Sequence, residues 1–293
     1  MSLQDAIAHA ISQATGQNFR IDDRHALAGG CINSTEMLKG GGRRYFVKLN
    51  AAARLDMFVA ESEGLSEIAN SQSVRVPQPV CSGTHAGQAY LVLEYLDIGG
   101  NTGKSDELLG RQLAAMHRCT SNEFGWRRAN TIGSTPQINT RERDWVTFYR
   151  EHRLRFQLEL AAKNNAGGSL VRHGEQLLEK LPAFFANYTP LPSLLHGDLW
   201  GGNHAALRDG TPVIFDPAVY YGDREADLAM TELFGGFGSG FYTAYREAWP
   251  LDPGYSVRRD LYNLYHVLNH LNLFGGGYRG QAEQLIDRLL SEA

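Results

Sequence analysis

The spacing of apolar positions changes period along this chain and divides it into two parts. Leu3, Ile7, Ala10, Ile11 and Ala14 recur at the three- and four-residue interval of one helix face, and Gly16 follows as a stop, so the spacing predicts an opening helix over 3–15. Short β-type segments come next, over 19–27, 34–38 and 44–49. They are separated by Gly29-Gly30 and Gly40-Gly41-Gly42, the punctuation of an antiparallel meander. Leu55, Phe58, Val59, Ser62, Leu65 and Ile68 restore the helical interval over 54–69, and two more strands are expected at 80–82 and 89–94. Five strands with one inserted helix make a small lobe.

After Glu94 the pattern changes. Asp97-Ile98-Gly99-Gly100-Asn101-Thr102-Gly103 reads as a linker, and nearly everything beyond it has helical periodicity. Helices are expected near 105–119, 143–163, 169–187, 225–233, 239–248, 255–273 and 280–292. Short β-type segments interrupt them at 193–195, 204–207 and 213–215, the last two joined by the turn Asp209-Gly210. The expected architecture is α+β and bilobal. An antiparallel-sheet lobe with one main helix covers 1–96, a larger and mostly helical lobe covers 97–293, and a hinge lies at about 94–103. The sequence has no internal repeat and no low-complexity tract.

Composition removes several function classes. With 293 residues, a net charge of −4 and a pI near 6.2, the chain has no basic footprint for nucleic acid and no polybasic segment for anionic lipid. No stretch approaches the ~20 apolar residues of a spanning helix. Asp5 and His9 fall inside an amphipathic pattern where a secretory signal would carry a basic region and an apolar run. Three widely spaced cysteines, Cys31, Cys81 and Cys119, argue against a disulfide framework or a zinc site, and the expected compartment is the reducing cytoplasm.

Two acidic stations then dominate: His196-Gly197-Asp198-Leu199-Trp200-Gly201-Gly202-Asn203 and Phe215-Asp216-Pro217. In kinases an aspartate that serves the substrate hydroxyl is followed five residues later by an asparagine, and a second aspartate holds magnesium against ATP phosphates. Asp198 is accordingly the candidate base. Asn203 and Asp216 offer one neutral and one charged hard oxygen to Mg2+. Either stretch alone reads better as a cap or turn, and their joint spacing is what favours chemistry.

The other half of a nucleotide site is present as well. Lys48 lies in the strand Tyr45-Phe46-Val47-Lys48-Leu49, and Glu61 follows on the next helix, matching the lysine that contacts ATP phosphates and the glutamate that holds it. Glu63 is the alternative partner. It lies roughly 200° around the helix from Glu61, so only one of them faces inward, and Glu61 is preferred. Gly29-Gly30 would let backbone N–H groups approach phosphate, or simply turn a hairpin. Cys31, at the tip of that loop, is either a redox-sensitive thiol or a small residue that fits the turn. The apolar strand ending at Glu94, Tyr95 and Leu96 stands where a kinase hinge offers backbone groups to adenine. Asp227 reads as a cap or anchor of its helix, His196 as a brace of the catalytic turn, and His117 as a satisfied core histidine.

With these stations in order, the chain resembles the fructosamine kinase (ketosamine 3-kinase) family, within the protein-kinase-like superfamily that includes aminoglycoside and choline kinases. The resemblance runs from Gly29 to Gly277. It rests on Gly29-Gly30-Cys31-Ile32-Asn33, Phe46-Val47-Lys48, the two acidic stations with Trp200, the run Arg224-Glu225-Ala226-Asp227-Leu228-Ala229-Met230, and Asn269-His270-Leu271-Asn272-Leu273-Phe274-Gly275-Gly276-Gly277. It implies ATP-dependent phosphorylation of a ketoamine, free or protein-bound, at the sugar 3-hydroxyl, as a deglycation step. The sugar is then expected between Trp200, whose ring can stack on an apolar sugar face, and polar groups on the C-terminal helices such as Tyr262, His266 and Asn269. A monomer, or a dimer linked through Cys31, is compatible with this reading. The alternatives are a kinase for an aminoglycoside or choline and a non-catalytic nucleotide-binding pseudokinase.

Overall fold

The structure is a computed structural model that describes residues 1–27 and 32–293. The expectations for Gly29, Gly30 and Cys31 lie outside the described residues.

The N-terminal helix α1, Leu3–Thr15, is opened by a reciprocal capping box between Ser2 and Asp5 and closed by Gly16 in the left-handed region. Five antiparallel strands follow: β1 (Asp23–Leu27), β2 (Ser34–Gly40), β3 (Arg43–Ala51), β4 (Pro79–His85) and β5 (Gln88–Glu94). Their spatial order is β1-β2-β3-β5-β4, and helix α2 (Leu55–Asn70) is inserted between β3 and β4. The two-residue alternation of the strands separates two apolar layers. Val47, Tyr90 and Val92 pack with Leu3, Ile7 and Ile11 of α1, while Leu91 and Leu93 pack with Phe58, Leu65 and Ile68 of α2. Lys48 pairs in register with Leu91 and so emerges on the α2 side. Period alone therefore delivers an ammonium group beneath a helix. Phe19 is not in a strand as expected; it packs as core against Tyr45, its N–H bonded to Ser12 Oγ at 2.8 Å, and β1 begins at Asp23.

The second lobe is mainly helical. Helix α3 (Gly103–His117) starts two residues earlier than expected because Thr102 caps it in a box with Ser105. The hairpin β6–β7 (Asn130–Ile132, Thr135–Gln137) follows. The region expected as one helix over 143–163 is α4 (Trp145–Tyr149) and α5 (Phe156–Lys163), joined by a widened π turn at Arg150–Arg155. At that turn Arg153 points inward, fully buried between the rings of Phe148 and Tyr220 and donating to Ile138 O and Asn139 Oδ1. Helix α6 (Ser169–Lys180) stops short of 187, where Pro182 shifts the chain into a 3-10 turn.

Two small antiparallel pairs organise the centre: β8 (Ser193–Leu195) with β11 (Tyr220–Gly222), and β9 (His204–Ala206) with β10 (Pro212–Ile214). The three-residue strands β6, β7 and β11 were not expected. Each is too short for its side-chain alternation to stand out against flanking coil. Helices α7 (Glu225–Leu233), α8 (Ser239–Ala248), α9 (Tyr255–Phe274) and α10 (Arg279–Glu292) complete the lobe. The two lobes together are the expected α+β, protein-kinase-like architecture. Among the described residues, no helix is long and apolar enough to cross a membrane.

Candidate active site

Both acidic stations sit on the short connections between β8, β9, β10 and β11. Residues 196–203 form the loop leaving β8, and Asp216 follows β10. The loop is held from beneath by a buried carboxylate: Asp227 of α7 accepts the N–H of His196 at 2.7 Å and of Gly197 at 2.8 Å, and bonds His117 Nε2 at 3.1 Å. Of the two structural roles expected for Asp227, capping its helix is corrected, since it makes no such cap; its carboxylate instead anchors α7 to the loop. Gly197 has φ +81°, and a β-carbon there would lie 2.1 Å from Ala218 O, so the loop and the β10–β11 connection can touch only with glycine at this position. His196 Nε2 donates to Phe215 O at 2.9 Å, leaving Nδ1 to accept the N–H of Asp198 at 3.2 Å. Burial lowers the pKa of this imidazole, in keeping with that neutral tautomer.

Burial would raise the Asp227 pKa, but the histidine and backbone donors outweigh it and hold it below the ordinary 3.8. Its stabilisation is therefore fully present above about 3.8 and is lost as pH falls through the lower folded-state value. Asp227→Asn leaves one loop N–H facing an amide donor and is expected to cost about 2–4 kcal/mol at neutral pH. Calorimetric melts at pH 7 and near pH 3 should show the wild-type advantage shrinking at the acidic end.

From the small lobe, Lys48 Nζ contacts Glu61 Oε1 and Asp216 Oδ1, each at 2.6 Å, although 168 positions separate Lys48 from Asp216. The lysine is 3% exposed. Burial alone would lower its pKa, but the two carboxylates outweigh that and hold it above its ordinary value. Burial raises the pKa of Glu61, with Lys48 opposing. Glu63 faces the other way and pairs with Arg127 and Arg128, which also reach Glu67 and Asp56, so the outer side of α2 is tied to the second lobe. Tyr221 adds a 2.8 Å bond to Glu67.

Asn203 Nδ2 donates to the carbonyl of Asp198 at 2.9 Å and to its Oδ2 at 3.3 Å, and Asn203 O accepts the N–H of Phe215 at 3.0 Å. Asp216 has φ +58°, an unusual backbone state for a residue with a side chain, and it turns its carboxylate toward Lys48. Burial first, then the charges of Asp216 and Asp227, raise the Asp198 pKa to about 7, with the Asn203 amide opposing. Asp216 and Asn203 offer one carboxylate and one carboxamide oxygen, the hard-oxygen donor type that suits Mg2+. Among the described residues there is no cluster of three or more His, Cys, Asp or Glu side chains of metal-binding type.

The remaining expected site residues divide. The Glu94 carboxylate pairs with Arg75, its N–H is taken by Gln78 O at 2.8 Å, and Tyr95 lies under the Arg44 guanidinium at 4.5 Å. Leu96 is half-buried beside them. Trp200 is 40% exposed and stands edge-on to Phe234. His266 is buried with Nδ1 unpartnered, and burial pushes its pKa down to about 3. Asn269 and Tyr262 are corrections to the expected sugar contacts. Asn269 is engaged at both ends, with Gln157 and Ile132 O, and Tyr262 donates to Asp223 inside the core. His117 is a satisfied core histidine bonded to Tyr245 and Asp227. Sequence reasoning overlooked Phe234, which adjoins Trp200 and in turn meets His270; the glycine pair after Phe234, like the one after Trp200, was the available signal.

The family model described as fructosamine kinase matches residues 3–292. A probable ketoamine kinase of Synechocystis is 50% identical over 285 residues, covering 97% of this chain and 96% of that one. A chloroplastic protein-ribulosamine 3-kinase of Arabidopsis thaliana is 44% identical over 278 residues, covering 94% of this chain and 85% of its own. The crystal structure of a candidate fructosamine-3-kinase from Haemophilus somnus superposes with a TM-score of 0.89 at 28% identity, covering 97% of this chain and 96% of the other. Family pattern, full-length relatives and superposed fold agree along the same chain, which therefore belongs to the fructosamine kinase family and is a phosphotransferase.

Proposed function

We propose that this kinase transfers the γ-phosphoryl group of ATP to the 3-hydroxyl of ketoamines, sugars joined through C1 to lysine or another amine. The observation that carries the reading is the meeting of Lys48 with both Glu61 and Asp216 at 2.6 Å, beside a loop that sets Asp198 against Asn203. In this reading the nucleotide lobe is 1–96 and the acceptor lobe 97–293. Lys48, held by Glu61, contacts the α- and β-phosphates. The N–H of Glu94 is committed to Gln78, so adenine is read by the Glu94 carbonyl and by backbone groups of Tyr95 and Leu96.

Asp198 accepts the proton of the 3-hydroxyl as its oxygen bonds to the γ-phosphorus and the bond to the β–γ bridging oxygen breaks, giving ADP and the 3-phosphate. Asn203 and Asp216 would hold Mg2+, which when bound neutralises phosphate charge. Trp200 and His266, whose Nδ1 is unpartnered, face the sugar. The product chemistry suits repair: loss of a C1 proton and expulsion of the C3 phosphate leave an intermediate whose hydrolysis releases the free amine.

A coupled ADP-release assay with fructosyl-lysine, ribulosyl-lysine, an aminoglycoside and choline tests the assignment. Turnover with the ketoamines is expected. Turnover confined to the last two would sink it, and binding of nucleotide with no turnover on any would make the chain a pseudokinase.

A further inference from the structure

Helix α2 carries three carboxylates in one stripe. Asp56, Glu63 and Glu67 fall within roughly 40° of one another around its axis, while Glu61 lies on the opposite side, against Lys48. The stripe meets two adjacent guanidinium groups of the second lobe. Arg127 reaches Glu63 at 3.0 Å and Glu67 at 3.4 Å, and Arg128 reaches Glu63 at 3.0 Å and Asp56 as well.

Ion pairs this close to solvent usually contribute little. Two features set these apart. Behind the arginines stands a buried polar bracket. Asn139 donates to Arg128 O at 3.1 Å and to Asn130 Oδ1 at 2.9 Å, and it accepts from the buried Arg153 at 2.7 Å. Asn130 donates in turn to Val219 O at 2.8 Å. Gln137 donates to Ala218 O at 3.0 Å and accepts from the Tyr265 hydroxyl at 2.8 Å. One bracket therefore fixes both the backbone that carries the arginines and the segment that follows Asp216. The second feature is direct contact between that segment and α2. A β-carbon on Gly64 would lie 3.1 Å from Val219 Cγ2, so the helix rests on the chain just beyond Asp216 with no space between them.

We propose that Arg127 and Arg128 are positioning residues for the nucleotide site: by holding the acidic stripe of α2 they keep Glu61 against Lys48, and Lys48 beside Asp216. This rests on the nucleotide-site reading above. In protein kinases the position of the corresponding helix is what activation-loop phosphorylation controls. Here two neighbouring arginines of the same chain set it, and they act through the helix rather than on the phosphates.

Equilibrium titration of the full chain with Mg-ATP, in the absence of acceptor, reads this clamp without requiring turnover. Arg127→Gln/Arg128→Gln is expected to weaken Mg-ATP binding about tenfold, and Glu63→Gln, which removes the carboxylate both arginines share, about threefold. Glu61→Ala should weaken it by at least as much as the arginine pair. Either clamp substitution added to Glu61→Ala should then cost less than about twofold more, because the contact it protects is already gone. A general loss of stability would weaken binding equally in both backgrounds. Wild-type affinity in the arginine and Glu63 variants, or equal losses with and without Glu61, would overturn the clamp and leave the nucleotide site as assigned. Wild-type affinity in Glu61→Ala would instead overturn the place of Glu61 in that site, and the clamp with it.

Discussion

Asp198→Asn is expected to lower kcat by about 10²–10⁴ while changing the KM for Mg-ATP by less than about twofold. The substitution keeps the shape of the side chain and the carbonyl that Asn203 binds, so the loop between β8 and β9 retains its frame. In the proposed mechanism, what disappears is the carboxylate assigned to take the hydroxyl proton. Its loss also removes one negative charge from a site where Asp216 and Asp227 already raise the Asp198 pKa, so nucleotide phosphates meet no new repulsion. The coupled ADP assay at saturating acceptor separates the two constants. Wild-type turnover by this variant would refute the role given to Asp198.

Asp216→Ala should act on the nucleotide instead. A metal ion on transferring phosphates is worth several kcal/mol of charge stabilisation, so kcat/KM for Mg-ATP is expected to fall by about 10³-fold or more. Stability should change little. Lys48 keeps Glu61 at 2.6 Å, and the removed carboxylate is the more exposed of its two partners. Losing Asp216 also relieves its repulsion of Glu61. Nucleotide titrations with and without Mg2+ are the decisive measurement. The wild type should show a magnesium-dependent gain in affinity that the variant lacks, and an unchanged gain would remove Asp216 from the metal site.

Much of this arrangement was legible before any coordinates. The strand alternation around Lys48 set which face its ammonium leaves, and the helical angle between Glu61 and Glu63 meant that only one could follow it inward. Local chemistry placed most long helices within a few residues, because caps such as Thr102 and glycine stops act over single turns. The legible features fail where partners are distant. Asp227 looked like part of its own helix, and nothing nearby in the chain announces that it receives the N–H groups of His196 and Gly197, 31 and 30 positions earlier. Asn269 looked available at a plausible helical spacing, yet Gln157, 112 positions away, claims it.

By itself the sequence determined the two-lobed order of elements, the residue types that phosphoryl transfer requires, and the family, because periodicity and motif spacing are properties of short stretches of chain. Tertiary structure alone decided that Lys48 reaches Asp216 across 168 positions, that Glu63 turns outward to Arg127 and Arg128, and that Asn269 is consumed by the core. Those outcomes depend on which buried polar groups satisfy one another once water is excluded, and that competition exists only after distant segments have packed.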